Sequence, residues 1–248
     1  MLKSDDDLFS PIEQAIMLGA LEDFKLALDA VNKDEELGQA VIDAAAYGNV
    51  EMLRMLHDRN ADFNVGEGVA LTSAAGNGHV EALVFLIDHC ANAHEGYFQY
   101  AFNSAMRQAV DVLCPDTPQV KLRRRRSTID ESRYLQIVKT LIDAGANAHR
   151  GEGSMVRRAC HRGPLALVDL LLKSGVDLAL EGTTFLHAAE WRGDPDVIER
   201  LLDEGLNPYD TQPHLPLCRS LFDARALRQD VAQTSGASAR PAFRRSSL

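Results

Sequence analysis

Gly48-Asn49-Val50-Glu51-Met52-Leu53-Arg54-Met55-Leu56 and Gly78-His79-Val80-Glu81-Ala82-Leu83-Val84-Phe85-Leu86 are two copies of one phrase, 30 residues apart. Each opens on a glycine and continues with apolar residues at helical spacing, which predicts an amphipathic helix. The glycine recurs. Gly19 lies 29 residues before Gly48, and Gly193 lies 30 after Gly163. The long interval from Gly78 to Gly163 is 85 residues, which fits two periods with roughly 25 residues inserted into the fourth unit. The spacing therefore predicts six units of a repeat stack, in which each unit packs on its neighbours. Such stacks bind partners more often than they catalyse reactions.

The other units follow the same columns. Leu165 to Leu172 and then Val176-Asp177 follow Gly163; Val197 to Leu202 and then Leu206-Asn207 follow Gly193. The fourth unit resumes at Tyr134, with Ile137, Val138, Leu141 and Ile142 before Ala146-Asn147. Before each glycine the alanine-rich segments Val41 to Tyr47, Leu71 to Asn77 and Leu186 to Arg192 read as a second, shorter helix. Ala45, Ala75, Ala105 and Cys160 stand three before the glycine position, small enough for close helix approach. The glycine itself is expected in the left-handed conformation that closes a helix. Gly66-Glu67-Gly68, Glu95-Gly96, Gly151-Glu152-Gly153 and Glu181-Gly182 read as the connections between units.

Thr184-Phe185-Leu186-His187, Ser10-Pro11-Ile12, Gly78-His79-Val80-Glu81 and Gly145-Ala146-Asn147 carry a resemblance to the ankyrin repeat family, over about residues 9–210. The period near 30 is shorter than that family's 33, so the connecting hairpins are expected to be short. The resemblance implies an all-α solenoid of about six helix-turn-helix repeats. A C-terminal capping helix is expected within 211–232, on Leu217, Leu221, Ala224 and Leu227. The solenoid is thus placed at 9–232, with an insertion at about 109–133 in the fourth repeat. Residues 233–248 are expected to form a disordered tail.

Bulk properties limit the function. The 248 residues are 46% hydrophobic and 25% charged, with a net charge of −10. That balance argues against wholesale coating of nucleic acid, though it permits a local basic patch. No apolar run reaches the length of a membrane span. Met1 to Asp7 carries three aspartates and no apolar core, so no secretory signal is expected there. Cys90, Cys114, Cys160 and Cys218 form no paired motif, which favours a reduced, cytoplasmic setting. A nuclear location in a eukaryote, or delivery into a host cell, fits the same residues.

In the resembled family, residues five, two and one before the glycine line the concave face where partners dock. Here that wall reads Asp43, Ala46 and Tyr47; Ser73, Gly76 and Asn77; Asn103, Met106 and Arg107; Arg158, His161 and Arg162; Ala188, Trp191 and Arg192. Its second half holds four arginines, a histidine and the chain's single tryptophan, with no acid. Arginine and tryptophan are enriched at binding hot spots. The candidate partner-binding residues are therefore Tyr47, Asn77, Arg107, Arg158, His161, Arg162, Trp191 and Arg192, facing a protein with an acidic surface. The same side chains also read as solvated arginines on ordinary helices, with Trp191 packed between repeats.

Gln108 stands where the fourth glycine belongs. The inner helix overruns on Ala105, Met106, Ala109, Val110 and Leu113 until Cys114-Pro115 stops it. The following loop holds Lys121, Arg123, Arg124, Arg125 and Arg126. This run fits nucleic-acid or phosphoinositide contact, a nuclear import signal, or a solvated loop. Arg124 to Ser127 also fits a basophilic phosphorylation site at Ser127. His89, Cys90, His94 and His149 lack the paired spacing of a zinc site, and no catalytic signature is present. No enzyme activity, metal or cofactor is expected. His187 is assigned to its own turn.

Overall fold

The computed structural model describes residues 9–31, 34–89, 95–114, 130–146, 154–210 and 215–237. Ser10 sets the first helix. Its Oγ accepts the Glu13 N–H (3.3 Å) while its own N–H donates to Glu13 Oε2 (2.7 Å). Pro11 follows at the first helical position, where a missing N–H costs nothing. Thirteen helices are seen among the described residues, and no strand. They fall into six pairs: α1 (Pro11–Leu18) with α2 (Leu21–Ala30), α3 (Asp34–Tyr47) with α4 (Val50–Asp58), and α5 (Val65–Asn77) with α6 (Val80–His89). Then come α7 (Glu95–Leu113) with α8 (Glu131–Asp143), α9 (Ser154–Arg162) with α10 (Leu165–Lys173), and α11 (Leu178–Arg192) with α12 (Pro195–Asp203). A last helix, α13, spans Pro216–Ala237.

The chain divides into two compact units, Met1–Val176 and Asp177–Leu248. In the first, α1, α3, α5, α7 and α9 pack on one another in order as an inner layer, and α2, α4, α6, α8 and α10 do the same as an outer layer. The core between the layers holds Ile16, Phe24, Met52, Leu53, Leu56, Leu71, Leu83, Leu86, Met106 and Ile137, all fully buried. Ala44, Ala45, Ala74, Ala75 and Ala105 are fully buried too, and their small side chains let the inner helices approach. In the second unit α13 packs on both α11 and α12, around the buried Phe185 and Cys218.

The expectation of shorter inner helices holds in the first repeat, where α1 has 8 residues against 10 in α2, and is corrected elsewhere. α3, α5 and α11 are 14, 13 and 15 residues long, against 9 for α4 and α12 and 10 for α6. In α3 the extra turn begins on Asp34, Glu35 and Glu36, acids that favour a helix N-terminus. The connections read at Gly66-Glu67-Gly68, Glu95-Gly96 and Glu181-Gly182 thus fall inside helices. Gly182 is a packing residue there: a Cβ would collide with Leu206.

Hydrogen bonds tie the ends of the first inner helices to the repeats that follow them. Asn49 Nδ2 donates to the Ile16 carbonyl (2.9 Å), and Asn77 Nδ2 donates to that of Ala46 (2.9 Å). His79 Nε2 also lies 3.0 Å from the Ala46 oxygen. These carbonyls belong to last helical turns, where the regular donors four residues on run out; that of Ile16 also accepts the Gly19 N–H at 3.1 Å. In the outer layer Arg59 Nη1 donates to the Leu28 carbonyl (3.2 Å) and its guanidinium pairs with Asp29. His57, Phe63, Phe85 and His89 form an aromatic cluster, with Phe85 stacked on His89 at 4.0 Å between ring centroids.

The fourth repeat departs where the glycine is missing. α7 continues past Gln108 to Leu113, burying Ala105, Met106, Ala109, Val110 and Leu113. Residues 115–129 lie outside the described residues. Asp130 caps α8, accepting the N–H groups of Ser132 (3.2 Å) and Arg133 (3.4 Å). The hydrogen bond from the Ser132 hydroxyl, then those N–H groups, lowers the Asp130 pKa. Tyr134 of α8 then supplies the link to the third repeat, its hydroxyl donating to the Gly76 carbonyl at 2.9 Å.

The turn glycines are not all alike. Gly19, Gly48, Gly78 and Gly193 have φ of 66°, 73°, 83° and 69°, the left-handed values expected of them. Gly163 does not, which corrects the sequence reading. Pro164 follows it and biases it to extended backbone.

Candidate functional site

Leu18, Tyr47, Asn77 and Arg162 end their inner helices, whereas Arg107 lies within α7, which runs on to Leu113. Tyr47 is 48% exposed, and Asn77 is exposed while bridging to the second repeat. Arg107 is exposed, its Nη2 3.4 Å from Ser104 Oγ. Arg162 is exposed and donates from Nε to His161 Nδ1 (3.0 Å), so His161 serves as its neighbour's acceptor. These four exposed residues and His161 share the first unit.

Arg158 and Arg192 are held by carboxylates, so the acid-free wall read from the sequence is corrected. Arg158 Nη1 lies 2.5 Å from Asp111 Oδ1. Asp111 sits on the overrun of α7, so the missing glycine at 108 is the physical reason: a chain that turned there would not carry a carboxylate to this place. In the second unit Arg192 Nη2 pairs with Asp194 Oδ2 at 2.8 Å, while Asp194 Oδ1 caps α12 by accepting the Asp196 N–H at 3.1 Å. Trp191 in that unit is 78% exposed and not packed away between repeats. Lys121, Arg123, Arg124, Arg125, Arg126 and Ser127 lie outside the described residues, as do Cys90, His94 and His149.

Sequence reasoning missed the first repeat's share of this row. Leu18, one before Gly19, is 80% exposed, and Met17 beside it is 45% exposed. Lining up Gly19 with the later turns, as the period already allowed, was enough to find them. The same end carries acids. Asp43 accepts from Gln39 Nε2 at 3.0 Å, and its pKa is raised by burial and by the nearby Glu13 carboxylate, against the lowering effect of the Gln39 bond. The row thus runs from apolar with acids at the first two repeats to cationic at the fourth and fifth.

Among the described residues no group of three or more His, Cys, Asp or Glu side chains is placed to hold a metal ion. Burial, followed by the Glu190 carboxylate, pushes the Cys218 thiol well above its usual range. That works against thiolate formation, and hence against nucleophilic use. No described helix is long and apolar enough to cross a membrane.

Comparison with known proteins agrees with the geometry. A family model described as Ankyrin repeats (3 copies) matches residues 129–212, and one described as Ankyrin repeats (many copies) matches residues 41–87. The chain is 22% identical over 191 residues to Ankyrin repeat and KH domain-containing protein mask-1 of Caenorhabditis elegans. That match covers 68% of this chain and 7% of the relative. An ankyrin repeat and KH domain-containing protein of Caenorhabditis briggsae is 25% identical over 137 residues, covering 54% of this chain and 4% of the relative. The chain therefore spans only a small part of the length of either relative. Six helix pairs, five of them joined at spaced glycines, with family matches in both halves, establish that the chain belongs to the ankyrin repeat family.

Proposed function

We propose that this chain is a noncatalytic adaptor or inhibitor that binds an acidic surface of another protein through the inner-helix face of its first unit. Ankyrin repeats are, as a family, protein–protein interaction modules. The observation that carries the finer reading is the pair Arg107 and Arg162. They occupy the same repeat position in adjacent repeats, and both are exposed. Exposed guanidinium groups at adjacent repeats suit bidentate recognition of carboxylates.

Charge reversal tests this. The double substitution Arg107→Glu and Arg162→Glu is expected to abolish crosslinks between α7 or α9 and a partner, read by crosslinking and mass spectrometry from the native source. Both sites are exposed, so stability should change by no more than about 0.5 kcal/mol per site. Arg158→Glu behaves differently, because it places a carboxylate against Asp111 and lowers the melting temperature. Partner crosslinks that survive the double reversal overturn the proposal. Heparin retention that is indifferent to it points instead to nucleic-acid binding by residues 121–126.

A further inference from the structure

Reading the inner-helix row from repeat to repeat gives more than a basic patch. The column before the repeat glycine, filled by Gln108 in the fourth repeat, reads Leu18, Tyr47, Asn77, Arg107 and Arg162; the first three and the last end their helices, and Arg107 sits within α7. The side-chain bonds from Asn49 to Ile16, Asn77 to Ala46 and Tyr134 to Gly76 tie the ends of α1, α3 and α5 to the repeats that follow them, and α7 packs along α5. Leu18 is 80% exposed and Met17 and Tyr47 are 45% and 48% exposed, so three large apolar or aromatic side chains meet solvent at one end. Scattered exposed apolar residues need no explanation, but a cluster at a recurrent docking position does. Glu13 and Asp43 lie at this same end, and the arginines lie at the other.

We infer that the first unit reads an extended segment of a partner protein in one orientation, its large apolar side chain against Met17, Leu18 and Tyr47 and its carboxylates against Arg107 and Arg162. This deepens the proposed function and rests on it. Charge complementarity fixes the orientation, because a carboxylate placed at the first two repeats meets Glu13 and Asp43, whereas at the fourth and fifth it meets Arg107 and Arg162, with the one acid there, Asp111, paired to Arg158. At about 8–10 Å per helix-to-helix step, the apolar and cationic ends lie roughly 25–40 Å apart. An extended chain advancing about 3.3–3.6 Å per residue covers that in roughly seven to twelve residues.

Three labelled peptides of equal length, titrated against the full chain by fluorescence anisotropy, test the idea. One carries a leucine-tryptophan block at one end and a glutamate block at the other. The second has the same composition interleaved, and the third carries the glutamate block alone. The block peptide is expected to bind about tenfold more tightly than either of the others, the margin that covering one large apolar side chain supplies. Leu18→Ser is expected to remove that margin while leaving the glutamate peptide unchanged. Arg162→Glu is expected to weaken both. The exposure of Leu18 means that its replacement leaves the circular dichroism melt in place.

If the glutamate peptide binds and the block peptide gains nothing over it, the directional inference is wrong and the acidic-partner reading stands. If none of the peptides binds, both fall. If wild type forms a concentration-dependent dimer that Leu18→Ser abolishes, the apolar end belongs to a second copy and the inference is overturned.

Discussion

Gly193 and Gly163 stand in the same column of the repeat and are glycines for different reasons. Gly193 is left-handed, and a Cβ there would meet nothing within 4 Å, so only its backbone needs glycine. Gly163 is not left-handed, but a Cβ would lie 2.8 Å from Cys114 Sγ and 2.9 Å from Ala159 Cα. Substitution separates the two. Gly193→Ala should cost about 1 kcal/mol, and Gly193→Asn less, because asparagine tolerates the left-handed region. At Gly163 the order should reverse: alanine costs about 1–3 kcal/mol by overpacking and the larger asparagine costs more. Urea midpoints at constant slope measure both pairs. An asparagine that is better tolerated than alanine at 163 removes the packing explanation. The period of the glycines was legible in the sequence, but the reason for this one was not. It depends on Cys114, far back in the chain, arriving at the end of an overrun helix. The pairing of Arg158 with Asp111 escaped for the same cause, whereas Asp194, two residues beyond Arg192, was within reach of a local reading.

Among the elements, α13 shows how a helix can be evident while its docking is hidden. Leu217, Leu221, Ala224 and Leu227 mark a helix in the sequence, yet Leu227 is 66% exposed and is not part of the packed side. The helix also runs on to Ala237, through residues the sequence assigned to the tail. Its N-terminus is held from α11: Glu190 accepts the Leu217 N–H at Oε1 (2.9 Å) and the Cys218 N–H at Oε2 (2.8 Å). Arg225 pairs with Asp203 at 2.5 Å on the side of α12. A carboxylate on two orphan helix N–H groups acts as an N-cap supplied by another helix. Glu190→Ala should therefore cost about 1–2 kcal/mol and Glu190→Gln less, since the amide oxygen still accepts one bond. Hydrogen exchange at Leu217 and Cys218 is the direct reading. Unchanged protection at those amides in Glu190→Ala rules this capping role out.

At the scale of the molecule, the first unit is an ordered row in which each inner helix packs on the one before and the one after. Stability in such a row is a sum of units and of the interfaces between neighbours, so a wound at one junction should stay near it. The junction between the third and fourth repeats offers a clean cut. Tyr134 is the residue by which the chain, returning from the insertion, rejoins the third repeat. Its hydroxyl donates to the Gly76 carbonyl (2.9 Å), and its ring meets the position of a Gly78 Cβ at 3.3 Å. Tyr134→Phe keeps the ring and deletes the bond, at a cost of about 1 kcal/mol. That corresponds to roughly fivefold faster exchange of amides that open with this junction. The increase should appear in α5, α7 and α8, whose helices meet there, and be absent from α1 and α2, which touch none of the altered atoms. Hydrogen exchange with mass spectrometry of the full chain resolves these segments. An equal rise in α1 and α2 means that the first unit opens all at once, and the nearest-neighbour account of its stability then fails.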